Sequence, residues 1–205
     1  MPKVAYSEEE RKQIRQDLIT VGLDLMTKQG IQHTTVEQIY KKVGISRTFF
    51  YSFFPAKEDL IVEALYLQQP KIIQYAQRLM EDETLSWKEA VKQFLHSCCY
   101  GEKNGIAVLN VEEQQLVFRR LSAESYRVFR EKQFSLFEKL LETFGIIPTV
   151  ERIHLFMNLS LAVMVISRAI PGSLPLLVTE AAEQTVDFQI CSIVDCLDKM
   201  RKQDL

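Results

Sequence analysis

The chain has 205 residues, 47% hydrophobic and 25% charged, with a formal net charge of −2. That balance suits a soluble globular protein with one large or two small cores, and it excludes a disordered or strongly basic chain. The stretch from Met1 to Gln13 is too polar for a secretory signal. The most apolar run, Leu155 to Ile166, is too short to span a bilayer before Arg168 ends it, so the chain reads as cytoplasmic with no membrane partner. Cys98, Cys99, Cys191 and Cys196 lack Cys-x-x-Cys spacing and read as small core side chains in a reducing compartment.

Seven glycines, six prolines, little β-type alternation and recurrent 3.6-residue spacing predict an all-α fold. The first helix is expected from Ser7 to Lys28, with Ile14, Leu18, Val21 and Leu25 on one face, Ser7 and Glu10 as a capping box, and Gly30 as its stop. Thr34 and Glu37 repeat the box for a second helix that presents Val36, Ile39, Tyr40 and Val43 and stops at Gly44. Ser46 caps a third, short helix. A fourth begins near Pro55-Ala56 with Leu60, Ala64 and Leu67 as its buried stripe, and Pro70 is expected to break or kink it.

Further helices are expected at 71–80, 86–100, 108–121, 123–144, 150–169 and 178–200, with loops at 101–105, 146–149 and 171–175. No flexible linker separates the first four helices from the rest. The division is therefore 1–54, a helix-turn-helix domain, and 55–205, a helical domain that shares helix four with the first as a rigid joint.

The third helix carries a dense aromatic run, Phe49-Phe50-Tyr51-Ser52-Phe53-Phe54. At about 100° per residue, Phe49, Phe50 and Phe53 fall within one arc and are assigned to packing. Arg47, Thr48, Tyr51 and Ser52 lie opposite. A helix-turn-helix needs this division, because its second helix must seat on the domain by one face and enter the major groove with the other. Arg47 suits a bidentate pair to guanine, Thr48 and Ser52 suit bases or phosphates, and Tyr51 suits a phosphate or a thymine methyl. Which of these read bases is left open by the sequence, and the N-cap Ser46 is counted with them. Lys57 is a cation in the first turn of helix four, where it opposes the helix dipole, so an anion such as a DNA phosphate is its expected partner. Thr34 and Thr35 at the start of helix two are expected to grip a second phosphate. Residues 1–53 hold 8 basic and 6 acidic side chains, an excess too slight to decide anything alone.

The stretch Thr34-Thr35-Val36-Glu37-Gln38-Ile39-Tyr40-Lys41-Lys42-Val43-Gly44-Ile45-Ser46-Arg47-Thr48-Phe49-Phe50-Tyr51-Ser52-Phe53-Phe54-Pro55-Ala56-Lys57-Glu58-Asp59-Leu60 resembles the N-terminal domain of TetR-family transcriptional regulators. The resemblance covers about the first quarter of the chain. It implies a helix-turn-helix protein that binds a palindromic double-stranded DNA operator as a homodimer, often a repressor released by a small effector. The chain departs from the family pattern at Tyr40, where alanine is common, and at Thr48-Phe49, where Gly-Thr is common and the threonine contacts a phosphate.

Beyond Leu67 only the architecture matches. Trp87, Phe94, Phe118, Phe129, Phe137, Met157 and Met164 are candidates for an apolar pocket that would take a small apolar or amphipathic effector. The last two helices are apolar around more of their circumference than one buried face requires. Leu155, Leu159 and Val163, with Ile190, Val194 and Leu197, are therefore assigned to a two-fold four-helix interface. No phosphate loop, zinc-protease His pair or nucleophile elbow is present, so no enzyme, cofactor or metal is expected. Two other readings stay open: a helical dimer acting on a protein partner, and a thiol or metal sensor built on His96, Cys98 and Cys99.

Overall fold

The computed structural model describes residues 6–100, 106–109, 111–169 and 178–205. Among them lie nine α-helices and no strand: α1 (Glu8–Gln29), α2 (Val36–Val43), α3 (Arg47–Tyr51), α4 (Lys57–Glu81), α5 (Trp87–Cys99), α6 (Val111–Arg120), α7 (Ala123–Thr143), α8 (Val150–Ala169) and α9 (Ala182–Gln203). A 3₁₀ turn, Thr179–Ala181, leads into α9. The loops expected at 101–105 and 171–175 lie outside the described residues.

Local chemistry explains most of the boundaries. Ser7 and Glu10 form the expected capping box on α1: the Ser7 amide donates to the Glu10 carboxylate at 2.7 Å and the Glu10 amide donates to Ser7 Oγ at 3.2 Å. The second box is one residue later than expected. Thr35 is the N-cap of α2, its Oγ1 accepts from the Gln38 amide at 3.2 Å, and Gln38 Oε1 accepts from the Thr35 amide at 2.8 Å. Glu37 instead pairs with Lys41 on the exposed helix face at 2.6 Å. Gly44 ends α2 at φ +80°, a left-handed conformation that glycine adopts without a Cβ penalty.

Pro70 does not break α4, which runs through it from Lys57 to Glu81 and absorbs the separate helix expected at 71–80. Apolar residues on both sides of the proline are anchored in packed cores, and burial outweighs the lost backbone bond. Helix α8 also differs from expectation. Val150–Ser167 is long and apolar enough by length and composition to cross a membrane, with mean hydropathy 1.4, although it packs here beside α5, α7 and α9.

Two apolar clusters divide the interior. The N-terminal one centres on Leu18, Met26, Ile39, Phe50, Phe54 and Leu60, and it does not stop at residue 54: it continues along α4 to Leu65 and takes in Val117 of α6 and Phe129 of α7. The C-terminal one gathers Ala76 and Leu79 of α4 with Phe94, Leu141, Phe144, Phe156 and Ile190. Helices α4 and α7 contribute to both. Gly22 sets the closeness of α1 to α4, since a Cβ there would lie 2.6 Å from Leu60 Cδ2.

Candidate nucleic-acid interface

The tight turn at Gly44 delivers the chain to Ser46, whose Oγ accepts from the Phe49 amide at 3.2 Å and opens α3. Helix α3 is short, as expected, but its five residues end within the aromatic run, so Ser52 and Phe53 sit in the turn that follows it. Of the three rings the projection assigned to packing, only Phe50 is fully buried, and Phe54 joins it. Phe50 and Phe54 are the core residues, at 0% and 1% exposure, and Phe49 and Phe53 are only half-buried.

Those two rings are held from the side by α1 and by Tyr6 just ahead of it. Tyr6 stacks on Phe49 with centroids 4.7 Å apart. The Arg11 guanidinium lies 5.3 Å from the centre of Phe49 and 4.8 Å from that of Phe53, while Arg15 lies 5.1 Å from Phe54 and pairs with Glu63 at 2.9 Å. Tyr6, Arg11 and Arg15 were missed by sequence reasoning. Their only signal was the i, i+4 spacing of the two arginines on one face of α1. This stack also accounts for Phe49 where the family favours threonine, because the side chain here is used against Tyr6 and Arg11.

With α3 fastened, Arg47, Thr48, Tyr51 and Ser52 are exposed together on its outer side. The Arg47 guanidinium lies 5.8 Å from the Tyr51 ring centre, which aligns the two long side chains along one edge of the helix. Tyr51 in turn meets Phe50 edge-on at 5.3 Å. Ser52 Oγ donates to the Phe49 carbonyl at 2.7 Å, so in this conformation its hydroxyl proton is engaged with α3 itself.

Thr34 and Lys57 are placed differently from expectation. Thr34 is fully buried and its Oγ1 donates to the Gly30 carbonyl at 2.9 Å, so it fastens the α1–α2 turn and has no surface to offer a phosphate. Thr35 is exposed at the N-terminus of α2. Lys57 is half-buried and its Nζ donates to the Ile31 carbonyl at 2.8 Å, an acceptor that sequence reasoning did not foresee. Burial holds its ammonium pKa below the usual lysine range, with Glu113 and Glu58 pulling the other way. Lys57 thus braces the α1–α2 turn against α4.

The C-terminal candidates separate into two groups. Phe94, Phe118, Phe129, Phe137 and Met164 line one cavity of about 190 Å³ between α4, α5, α6, α7 and α8. Trp87 and Met157 are not in its lining. Trp87 Nε1 donates to the Phe144 carbonyl at 2.8 Å under the Arg201 guanidinium, and Met157 packs on the C-terminal core. The interface set is corrected in the same way. Val163, Ile190, Val194 and Leu197 are 0–4% exposed within the single chain, where they fill the core between α8 and α9. The apolar groove that these helices present outward is lined by Leu155, Leu159, Ala162 and Ile166 with Gln189, Ser192 and Cys196, and Val163 and Ile193 reach its floor from the core. Only 22% of the Val150–Ser167 stretch is buried in the protomer, and Phe188 of α9 is 74% exposed. Cys98 lines the internal cavity and burial pushes its thiol up to about 12, opposite to the shift that a thiolate sensor requires.

Residues 18–64 match the family model described as bacterial regulatory proteins, tetR family. The chain is 32% identical over 66 residues to the HTH-type transcriptional regulator AcrR of Shigella flexneri, a match covering 32% of this chain and 31% of that protein. It is 33% identical over 70 residues to the HTH-type transcriptional regulator YjdC of Escherichia coli (strain K12), covering 34% and 37%. The match thus spans about a third of the length of these curated relatives. Across nearly the whole chain, the fold is similar to that of a TetR transcriptional regulator from Rhodococcus sp. RHA1, with TM-score 0.60 at 16% identity over 93% of this chain and 97% of that one. It is also similar to reduced E. coli NemR, with TM-score 0.52 at 12% identity over 92% and 96%. The N-terminal segment thus matches the TetR-family DNA-binding domain, and the all-helical fold of nearly the whole chain is similar to that of solved TetR-type regulators.

Proposed function

We propose that the protein is a cytoplasmic, non-enzymatic transcriptional regulator, a homodimeric repressor that binds double-stranded DNA through α3. One observation carries this reading: Arg47, Thr48 and Tyr51 are exposed on a helix whose opposite side is locked into a core by Phe50 and Phe54. A reading helix requires that combination of a fixed seat and a free polar face. The relatives named as transcriptional regulators support it, since the similarity covers this segment. In this reading residues 1–54 form the reader and 55–205 bind the effector and the second copy, with α4 shared between them. The exposed apolar groove of α8 and α9 supports a homodimer, which would place two copies of α3 in successive major grooves about 34–36 Å apart. Among the DNA-facing candidates, Arg47, Thr48, Tyr51 and Thr35 remain, with Ser46 and Ser52 offering hydroxyls at the two ends of α3.

An occupant of the cavity would meet α4 directly, and a ligand that favours one setting of α4 would shift the population of DNA-competent dimers. Selection of bound duplexes from a random pool by the full chain tests the reading. A site with dyad symmetry is expected, and both Arg47→Ala and Tyr51→Ala should lose it. Absence of any enriched sequence at moderate salt, or variants that bind like the parent, would overturn the DNA-binding assignment and leave a dimer acting on a protein partner.

A further inference from the structure

The cavity between α4 and α8 has a distinctive chemistry. Among the described residues, no side chain in its lining carries a formal charge, and its polar side-chain atoms come from four glutamines, Cys98 and Ser160. Gln68 is already committed: its Nε2 donates to the Ala107 carbonyl at 2.7 Å and its Oε1 accepts from the Ala107 amide at 3.0 Å. Both groups of that backbone unit are thereby satisfied, and the segment 106–109 is tied to α4 as one wall of the cavity.

Ser160 is not committed. It is 4% exposed, and its Oγ has no hydrogen-bond partner. A serine inside a helix ordinarily returns its hydroxyl to a carbonyl one turn back, as Ser192 does to Phe188 at 2.9 Å and Ser167 does to Met164 at 2.9 Å. Ser160 makes no such bond, and it faces a void lined mainly by aliphatic and phenylalanine side chains. A buried hydroxyl left unpaired is unfavourable unless something polar arrives to meet it.

We infer that this cavity binds a neutral, largely apolar molecule somewhat larger than benzene, carrying one hydroxyl or carbonyl group that pairs with Ser160 Oγ. The inference rests on the reading of the C-terminal domain as effector-binding and names the class of effector. Size follows from the volume of about 190 Å³, against an apolar cavity of about 150 Å³ that accepts benzene in another protein. Neutrality follows from the lining, because an ion placed there would lose its hydration without a counter-charge to replace it. A single polar group follows from a single unpaired hydroxyl. The raised thiol pKa of Cys98 on the same wall agrees with a poorly hydrated interior.

The test uses the full-length protein without DNA and three matched probes: para-ethylphenol, ethylbenzene and para-ethylbenzoate. Titration calorimetry should give saturable binding of the phenol, weaker binding of the hydrocarbon and at least about tenfold weaker binding of the carboxylate. Ser160→Ala should weaken the phenol about 3- to 10-fold and leave ethylbenzene unchanged. The same variant should melt no lower than the parent in the absence of probe, since it removes an unpaired group. Carboxylate binding equal to that of the phenol, an unchanged phenol affinity in Ser160→Ala, or no saturation by any probe up to about 1 mM would overturn the inference. Because no DNA is present, this outcome is separate from that of the operator selection. A probe that binds as described while no operator is enriched would leave the cavity assignment standing and remove the regulator reading.

Discussion

The two halves of the interior are packed to different standards. Around α1 to α4, the closest approach is so tight that a single added carbon at Gly22 would lie 2.6 Å from Leu60, and cationic side chains close over the aromatic rings at the domain edge. Between α4 and α8, with walls from both clusters, rings meet edge-to-face nearby, Phe94 on Phe144 and Phe137 on Phe156, yet a void of about 190 Å³ and an unpaired hydroxyl remain. Filled cores specify one arrangement, whereas voids lose dispersion contacts and leave side chains room to repack. The seat of α3 is therefore closely filled, whereas the space between α4 and α8 is not.

The contrast can be broken first at Phe54. Phe54→Ala, removing a fully buried ring, should cost about 3–5 kcal/mol in chemical denaturation and abolish DNA binding through loss of the seat for α3. Equal loss of stability with DNA binding retained would contradict the fastened-reader account. Gly22→Val probes overpacking and should destabilise by about 1–3 kcal/mol, while Leu136→Phe on the cavity wall should stay within about 1 kcal/mol of the parent. Equal costs for the two would erase the distinction between a filled and a hollow core.

Arg47→Ala acts on the outer face alone. DNA affinity should drop by about 1–3 kcal/mol with the melting temperature unchanged, as read by gel shift beside thermal melting.

The smallest effect belongs to pH. The Asp198 carboxyl is held down to about 2, chiefly by a hydrogen bond from Lys202 against the opposing effect of burial, with Arg201 and Lys88 assisting. Its folded value lies below the unfolded one of about 3.9, so its contribution is complete above about pH 4 and disappears as pH falls toward 2. The stability gap between the parent and Asp198→Asn should narrow over that window in acid titrations followed by circular dichroism. A gap that stays constant would show that Asp198 contributes by packing.

Much of this was legible in the sequence because short-range chemistry decides it. Ser7 with Glu10, Gly44 and Ser46 announce their helix boundaries through bonds that span three residues or a single φ angle. Where competing local signals were nearly equal, the choice went astray. Thr34 and Thr35 are both plausible caps, and only the Gly30 carbonyl, available to Thr34 in the folded turn, decides which hydroxyl is buried. The aromatic run misled because a periodic projection assumes a helix that continues, and α3 ends at Tyr51. Partners distant in sequence were invisible: Lys57 with Ile31, Gln68 with Ala107 and Trp87 with Phe144 are separated by 26, 39 and 57 residues. The interface residues were misread for a related reason. Periodicity gives a helix an apolar face, but it does not say whether Ile190 or Leu159 points into its own bundle or away from it.

Pro70 lies where these two halves meet. On α4, the last side chain packed on the N-terminal cluster is Leu67 and the first on the C-terminal cluster is Ile72. Proline has no amide hydrogen, so the Tyr66 carbonyl one turn earlier lacks its usual helical donor at that seam. Mechanically, a helix that lacks one backbone bond is least stiff at that turn, which in α4 is the turn between the two clusters. The Gln68 side chain grips Ala107 within the same turn, so the tie to segment 106–109 and the missing backbone bond are neighbours on one helix.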